Sequence, residues 1–344
     1  MPTIRAVHAF HCGLFRAPGL LFTRGGGLAT EFVPVLCFGL EADEGWVLVD
    51  GGFGSAGVSG LGRVRSFAFG RLGRLAFRPS WGAAARLRAL RGEKPLLAAV
   101  VTHLDIDHAG GLREAAPPRV FLSAEEWEEA KAPAWLEARV GRYQPLDYLD
   151  LPMRPVDTTA REARDISPLF AAADLFGDGS VRLVLLAGHS AGHAGVLVRL
   201  ADGSRVLLCG DAAFSADVVT GAAQPGLFPR AVAYDRTRMF ETLERLRSFA
   251  RLHPDVPVVP SHDPLVGARA ADGPAVIARA KAPGAPAAAP GPQPPAPSPA
   301  PGPLPLPLAR SPIAPPPVPA AAPAPATTGS GRLATPSDEA PEPT

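Results

Sequence analysis

Cysteine is scarce in this chain. Cys12, Cys37 and Cys209 are the only three among 344 residues. Their odd number and wide spacing exclude a disulfide framework and a zinc-ribbon pattern, and fit a reducing compartment. Long hydrophobic runs are also missing, since nothing approaches the roughly 20 apolar residues of a membrane span. The opening Met1-Pro2-Thr3-Ile4-Arg5-Ala6-Val7-His8 has no apolar core after a basic start, so no signal peptide is read there and a cytoplasmic location is expected. A charge excess of either sign is absent. The net charge of +1 disfavours a nucleic-acid partner, which calls for a strong basic excess. No Gly-x-Ser-x-Gly elbow supplies a serine nucleophile. Gly25-Gly26-Gly27 lacks the Gly-Lys-Ser/Thr ending of a phosphate-cradling loop. The expected partner is a small molecule, with no nucleic acid and no membrane, and the oligomeric state is left open.

What is present divides near Lys281. Pro283–Thr344 holds more than half of the 41 prolines and no aromatic residue. Such a segment cannot bury enough apolar area to offset its ordering entropy, and is expected to be a disordered tail. Residues 1–282 read as one α/β domain. Buried strands are predicted at Val33–Leu40, Trp46–Val49, Leu96–Val101, Val181–Leu186, Gly195–Leu200, Arg205–Cys209 and Val256–Val259. A helix is predicted over Trp81–Leu90, another after the capping box Ser123-Ala124-Glu125-Glu126 with Pro133 near its end, and a third from Asp235 to about Ala250. Asp202-Gly203 reads as a tight hairpin turn. Residues 62–78 interleave Arg63, Arg65, Arg71, Arg74 and Arg78 with Phe67, Phe69 and Phe77, a pattern open to two readings: a lid over a site, or a solvated basic loop.

The richest stretch is Val100-Val101-Thr102-His103-Leu104-Asp105-Ile106-Asp107-His108-Ala109-Gly110-Gly111. An apolar run ends in two histidines and two aspartates within six residues, and such a concentration has few uses other than holding metal ions. Similar residues follow other predicted strands: Asp50-Gly51-Gly52, Gly188-His189-Ser190-Ala191-Gly192-His193, Asp211, and Ser261-His262-Asp263. Ligand-type side chains recurring at strand ends point to a single site at one rim of layered sheets. Cys209 lies two residues before Asp211, so simple alternation puts it on the same face, although burial as a small hydrophobe is the plainer role.

This ordered set resembles the metallo-β-lactamase superfamily over most of residues 30–265. The family pattern His-x-His-x-Asp-His is matched by His103, Asp107 and His108, with Asp105 in place of the second histidine. The resemblance implies a four-layer αββα sandwich with the metal site at one edge of the sheets. It implies two divalent metal ions, one held by His103, Asp105 and His189, the other by Asp107, His108 and His262, with Asp211 between them. Asp107 is the ligand also assigned to catalysis. Asp50 and His193 are expected to support the ligands by hydrogen bonding without touching metal. Phe214 is a candidate substrate contact. It stands where the acyl-homoserine-lactone lactonases of this superfamily carry a tyrosine, so the hydroxyl near the substrate carbonyl is missing.

Imidazole and carboxylate suit zinc and other divalent first-row metals. Two such ions can share a water and lower its pKa from about 16 towards about 7, giving a hydroxide that attacks a carbonyl or phosphoryl centre. Asp105 adds a negative charge and a harder ligand, which should weaken the Lewis acid and shift preference from zinc towards manganese or iron. Restoring an imidazole at 105 is accordingly expected to strengthen zinc retention. The function expected is that of a metal-dependent hydrolase using metal-bound hydroxide to cleave an ester, lactone or thioester. The alternatives are an iron-containing oxidoreductase of the same fold and a metal-binding protein without turnover. A secreted β-lactamase is disfavoured, since no export signal is read.

Overall fold

The computed structural model describes residues 2–55, 74–132, 142–158 and 172–281. The proline-rich tail, most of the Arg/Phe-interleaved segment and Pro133 lie outside these described residues.

Two sheets form the interior. In the first, strands run β13-β1-β2-β3-β5-β6-β7, where β1 is Ile4–Pro18, β2 Thr30–Ala42, β3 Trp46–Val49, β5 Leu96–Val100, β6 Val120–Ser123, β7 Met153–Val156 and β13 Ala275–Arg279. The short β4, Arg74–Ala76, pairs with the outer end of β1. The second sheet runs β12-β11-β10-β9-β8, with β8 Ala172–Asp174, β9 Val181–Leu185, β10 Ala194–Arg199, β11 Arg205–Gly210 and β12 Val258–Pro260. Pairing is antiparallel from β13 to β3 and parallel from β3 to β7, while in the second sheet only β11 and β12 are parallel.

The hydrophobic pattern explains the layering. Inward side chains of both sheets, among them Leu36, Phe38, Val49, Val100, Leu183, Val196 and Leu208, share one buried cluster. The opposite face of the first sheet, with Phe10, Trp46, Leu48 and Val101, packs on helix α1, Ala83–Arg91, through Ala83 and Leu87. The opposite face of the second, with Leu186, Leu197, Leu207 and Cys209, packs on the long helix Arg236–Leu252. That helix begins where Asp235 accepts a hydrogen bond from the Arg238 N–H at 3.0 Å, which satisfies one of the amides a helix start leaves free. Met239, Leu243, Leu246 and Phe249 then recur at helical spacing and are all buried; each is worth about 1.5–3 kcal/mol of burial. Helix, two sheets and helix give the four-layer αββα sandwich. Among the described residues no helix is long and apolar enough to cross a membrane.

Several elements depart from the sequence-based expectation. The longest strand, β1, is missing from the predicted set, because His8, His11, Gly13 and Arg16 interrupt its apolar alternation. Its register with β2 shifts between His11 and Gly13, so side chains on either side of the bulge change face. The turn at Asp202-Gly203 is longer than a two-residue hairpin, with Arg199 paired to Arg205. Asp202 shapes it by accepting from the Ser204 amide and hydroxyl, and Gly203 supplies a φ of +84°. All three cysteines are free and buried.

Candidate metal centre

The carboxyl ends of β3, β5, β9, β11 and β12 release the chain at one rim, and each delivers one of the ligand-rich segments. After β3, Asp50 takes a φ of +59°, rare for a residue with a side chain. Its turn is locked to the segment after β5. The Gly51 N–H donates to the His108 carbonyl, and the Gly111 N–H to the Gly52 carbonyl. The approach is so close that a Cβ on Gly54 would lie 1.9 Å from the Gly110 carbonyl oxygen, and one on Gly111 2.2 Å from that of Gly51. Glycines follow the His/Asp cluster because two backbones meet there.

Seven predicted side chains come together at this rim. His189 Nε2 lies 3.2 Å from Asp105 Oδ2, and His103 Nε2 3.6 Å from the same oxygen. His108 Nε2 stands 3.2 Å from Asp211 Oδ1. His262 Nε2 is 3.2 Å from Asp211 Oδ2 and 3.7 Å from Asp107 Oδ2, and His189 Nε2 is 3.6 Å from Asp211 Oδ2. Three groups offer ligand atoms within 4.8 Å of one another: His103 with Asp105 and His189, His103 with His108 and Asp211, and Asp107 with His108 and His262.

The other face of each ring shows why these nitrogens converge. His108 Nδ1 bonds Asp50 Oδ2 at 2.8 Å, and His262 Nδ1 bonds the Pro34 carbonyl at 2.7 Å. His103 Nδ1 lies 3.0 Å from Thr102 Oγ1, and that hydroxyl in turn contacts Asp50. A proton carried on Nδ1 leaves Nε2 of a neutral ring as a lone pair. Lone pairs then face carboxylate oxygens, an arrangement that only a cation or a proton between them relieves. His103 Nε2, His108 Nε2 and Asp211 Oδ1 are buried with no hydrogen-bond partner. The donor set therefore fits divalent metal, and the rings of His103, His108 and His262 are oriented by their outer nitrogens as metal-binding histidines usually are. Electrostatics agree. Burial opposes charge on His108, yet Asp211, Asp50 and Asp107 outweigh it and lift its pKa well above the usual range. Burial would raise the Asp211 carboxyl, but His262 and His108 hold it well below the usual range.

The remaining predicted residues sit around this cluster. Asp50 is fully buried and accepts from the Thr102 amide at 2.8 Å as well as from His108. His193 Nδ1 donates to the Leu186 carbonyl, and its Nε2 accepts from the Asp211 amide at 2.9 Å. Burial, aided by His103 and His189, keeps that ring well below the usual histidine range, so it stays neutral and orients the Asp211 backbone. Phe214 places its ring 4.7 Å from that of His262, beside a cleft of about 430 Å³ also lined by Phe22, Phe32 and Val33. Cys209 does not share the Asp211 face. The chain turns at Gly210, φ +55°, which ends the alternation and leaves Cys209 in the core against the long helix.

Two residues of the site escape the sequence reading. Glu126, fully buried, accepts from the amides of Leu104 and Gly192 and from the Ser190 hydroxyl. It thereby ties the segment after β5 to the one after β9. Its only sequence signal is the capping box, and half of that box forms: Ser123 accepts from the Glu126 amide, but the Glu126 carboxylate turns to the loops and not to the Ser123 amide. Arg142 lies beside Asp105, with Nε 3.3 Å from Oδ1. Burial would raise the Asp105 carboxyl, but Arg142 and then His103 outweigh it and hold it well below the usual range.

Comparison with known proteins points the same way. A family model described as the metallo-beta-lactamase superfamily matches residues 30–262. A probable metallo-hydrolase of Mycobacterium tuberculosis is 31% identical over 271 residues, spanning 75% of this chain and 80% of that protein. N-acyl homoserine lactonase AttM of Rhizobium radiobacter is 29% identical over 165 residues, 48% of this chain and 57% of its own. Among solved structures, B. thuringiensis AiiA with N-decanoyl-L-homoserine at its active site superposes with a TM-score of 0.60. It is 19% identical over 76% of this chain and 95% of that one, a likeness of fold.

Proposed function

The chain belongs to the metallo-beta-lactamase superfamily and is a metal-dependent hydrolase, and on that footing we propose that it cleaves an ester, lactone or thioester bond of a small molecule with an apolar acyl group. The observation that carries this reading is the convergence of four imidazole Nε2 atoms on Asp105, Asp107 and Asp211, with His262 of that set also lining a cleft that carries Phe22, Phe32 and Phe214 beside Arg24, Glu31 and Asp217. His103, Asp105 and His189 would hold one divalent ion, and Asp107, His108 and His262 a second, with Asp211 shared. Zinc is the ion we assign, with manganese or iron as the alternatives a third carboxylate favours. Bound there, the ions supply Lewis acidity towards a substrate oxygen and acidify a coordinated water.

The protein's own groups supply the rest. Asp50, the Pro34 carbonyl and Thr102 fix the ring orientations, so no reorganisation is required when substrate arrives. Asp107 keeps its side chain 12% exposed while Asp211 is 4% exposed, and we assign Asp107 the uptake of a proton and its return to the leaving oxygen. Phe214 and Phe22 each contact Phe228 edge-on and form an apolar wall that excludes water and receives the acyl portion. Phe214 has no hydroxyl to donate to a carbonyl, which argues for a broader ester or thioester range beside lactones.

The test combines elemental analysis with a panel of lactones, acyl esters and thioesters. Two zinc ions per chain and turnover that disappears on chelation and returns with zinc are expected. Iron together with oxygen uptake would replace this reading with redox chemistry, and an inert metal-loaded protein would end it.

We further assign the hydrolase to residues 1–282, without the Pro/Ala-rich segment 283–344. The whole ligand set lies within the compact unit Met1–Pro286. Deleting 283–344 is expected to leave kcat/KM within about twofold and the melting temperature unchanged; a loss of tenfold or more would place part of the site in the tail.

A further inference from the structure

Asp105 uses its two oxygens differently. Oδ2 faces the cluster, 3.2 Å from His189 Nε2 and 3.6 Å from His103 Nε2. Oδ1 faces away from it, 3.3 Å from Arg142 Nε. The Arg142 side chain is itself only 6% exposed. Its Nη1 donates to the His189 carbonyl at 2.7 Å and its Nη2 to the Val232 carbonyl. One guanidinium thus pairs its charge with Asp105 and hydrogen-bonds the backbone of His189, two of the three residues in the same candidate ligand group.

Charge gives this contact its meaning. Asp105, Asp107 and Asp211 bring three negative charges to the cluster, where an imidazole at 105 would leave two. The buried cation beside Asp105 returns the total to two. A buried arginine facing a neutral imidazole would be uncompensated, and a third carboxylate without the arginine would over-neutralise the ions. The planar group also fixes the place of the charge: Nη1 and Nη2 are anchored on the His189 and Val232 carbonyls, which sets Nε against Asp105 Oδ1 as an ion pair, an arrangement that lysine with its single ammonium does not reproduce.

We infer that Arg142 is a positioning residue that makes Asp105 a metal ligand equivalent in charge to an imidazole, holding Oδ1 so that Oδ2 presents to the first ion and clamping the His189 loop through its carbonyl. This rests on the reading of His103, Asp105 and His189 as a metal-holding set. It reverses the expectation from sequence that an imidazole at 105 strengthens zinc retention. Asp105→His alone leaves the guanidinium beside a metal-bound ring with no counter-charge, and should weaken the first ion.

The experiment measures zinc stoichiometry and chelator-competition affinity on the full chain for the wild type, Arg142→Gln, Arg142→Lys, Asp105→His and the double variant Asp105→His/Arg142→Gln. The wild type is expected to hold two ions. Arg142→Gln should weaken one of them about 10–100-fold, the range for loss of a group that orients a ligand, while the ion on Asp107, His108 and His262 stays. Arg142→Lys should recover part of that loss. Asp105→His should lose the first ion, and the double variant should regain it. A purely structural arginine would make the double variant worse than either single one, so that result overturns the inference, as does unchanged affinity in Arg142→Gln. The double variant against Asp105→His decides the matter even if Arg142→Gln alone does not fold. A wild type that binds fewer than two ions removes the two-ion reading itself, and the inference with it; two ions in the wild type with no effect of Arg142 removes only the inference.

Discussion

Replacing Asp211 by alanine is expected to lower kcat/KM at least about a thousandfold, a barrier increase of about 4 kcal/mol, and to reduce the zinc content below two ions per chain. Asp211 is the carboxylate that meets both histidine sets: Oδ1 at 3.2 Å from His108, Oδ2 at 3.2 Å from His262 and 3.6 Å from His189. No neighbouring oxygen can replace it, because its position is fixed from behind. Its amide donates to His193 Nε2, and Gly210 lets the chain pass so near that a Cβ there would sit 2.6 Å from that nitrogen. Asp211→Asn keeps the shape and removes the charge, so it separates ligand loss from cavity formation. Both variants should keep the far-ultraviolet circular dichroism of the parent, since the Asp211 side chain belongs to neither of the apolar clusters on which the two sheets and the long helix pack. Kinetics on the best substrate of the panel, with elemental analysis of the same samples, checks the prediction. Retention of two ions and of activity within tenfold would show that Asp211 does not join the two sets.

The parts of this site that were legible in the sequence are those whose signal is local. Trp46–Val49 and Leu96–Val100 are buried on both faces or nearly so, and read as uninterrupted apolar runs in which the following polar residue stands out. The His/Asp cluster is compressed into six residues, so its spacing survives without knowledge of the fold. β1 carries the same structural weight but alternates irregularly across a bulge, and no periodic signal remains. Glu126 and Arg142 were invisible for a different reason. Their partners lie 22 to 66 and 37 to 90 residues away, and nothing in the local sequence separates a buried acceptor from a solvated glutamate at a helix start. Asp50 was legible as a polar residue at a strand end, but its supporting role only through family resemblance, since its bond to His108 spans 58 residues.

Glu126→Ala is expected to produce the largest loss of stability among single changes near the site, about 3–5 kcal/mol. The carboxylate is fully buried, and three donors end on it: the Leu104 amide at 3.0 Å, the Gly192 amide at 3.0 Å and the Ser190 hydroxyl at 2.6 Å. Alanine would leave all three in a dry interior, where an unmade bond costs about 1–3 kcal/mol each. Water cannot readily enter, because Gly192 packs so tightly that a Cβ on it would lie 2.1 Å from the Glu126 amide. For a domain of this size the loss corresponds to a melting temperature lower by roughly 10 °C. Glu126→Gln is instructive beside it. The amide group turns an acceptor into a donor opposite either Leu104 or the Ser190–Gly192 pair, so part of the loss remains although volume is kept. The effect reaches the metal, since Leu104 lies between His103 and Asp105, and Ser190 follows His189. In thermal melts the wild type should gain stability on adding zinc, and Glu126→Ala should gain much less, because binding stabilises only a state in which the ligands are already held. A Glu126→Ala protein that melts within about 1 °C of its parent and responds equally to zinc would mean that the two ligand-bearing loops are held together by their own backbone contacts, without the carboxylate between them.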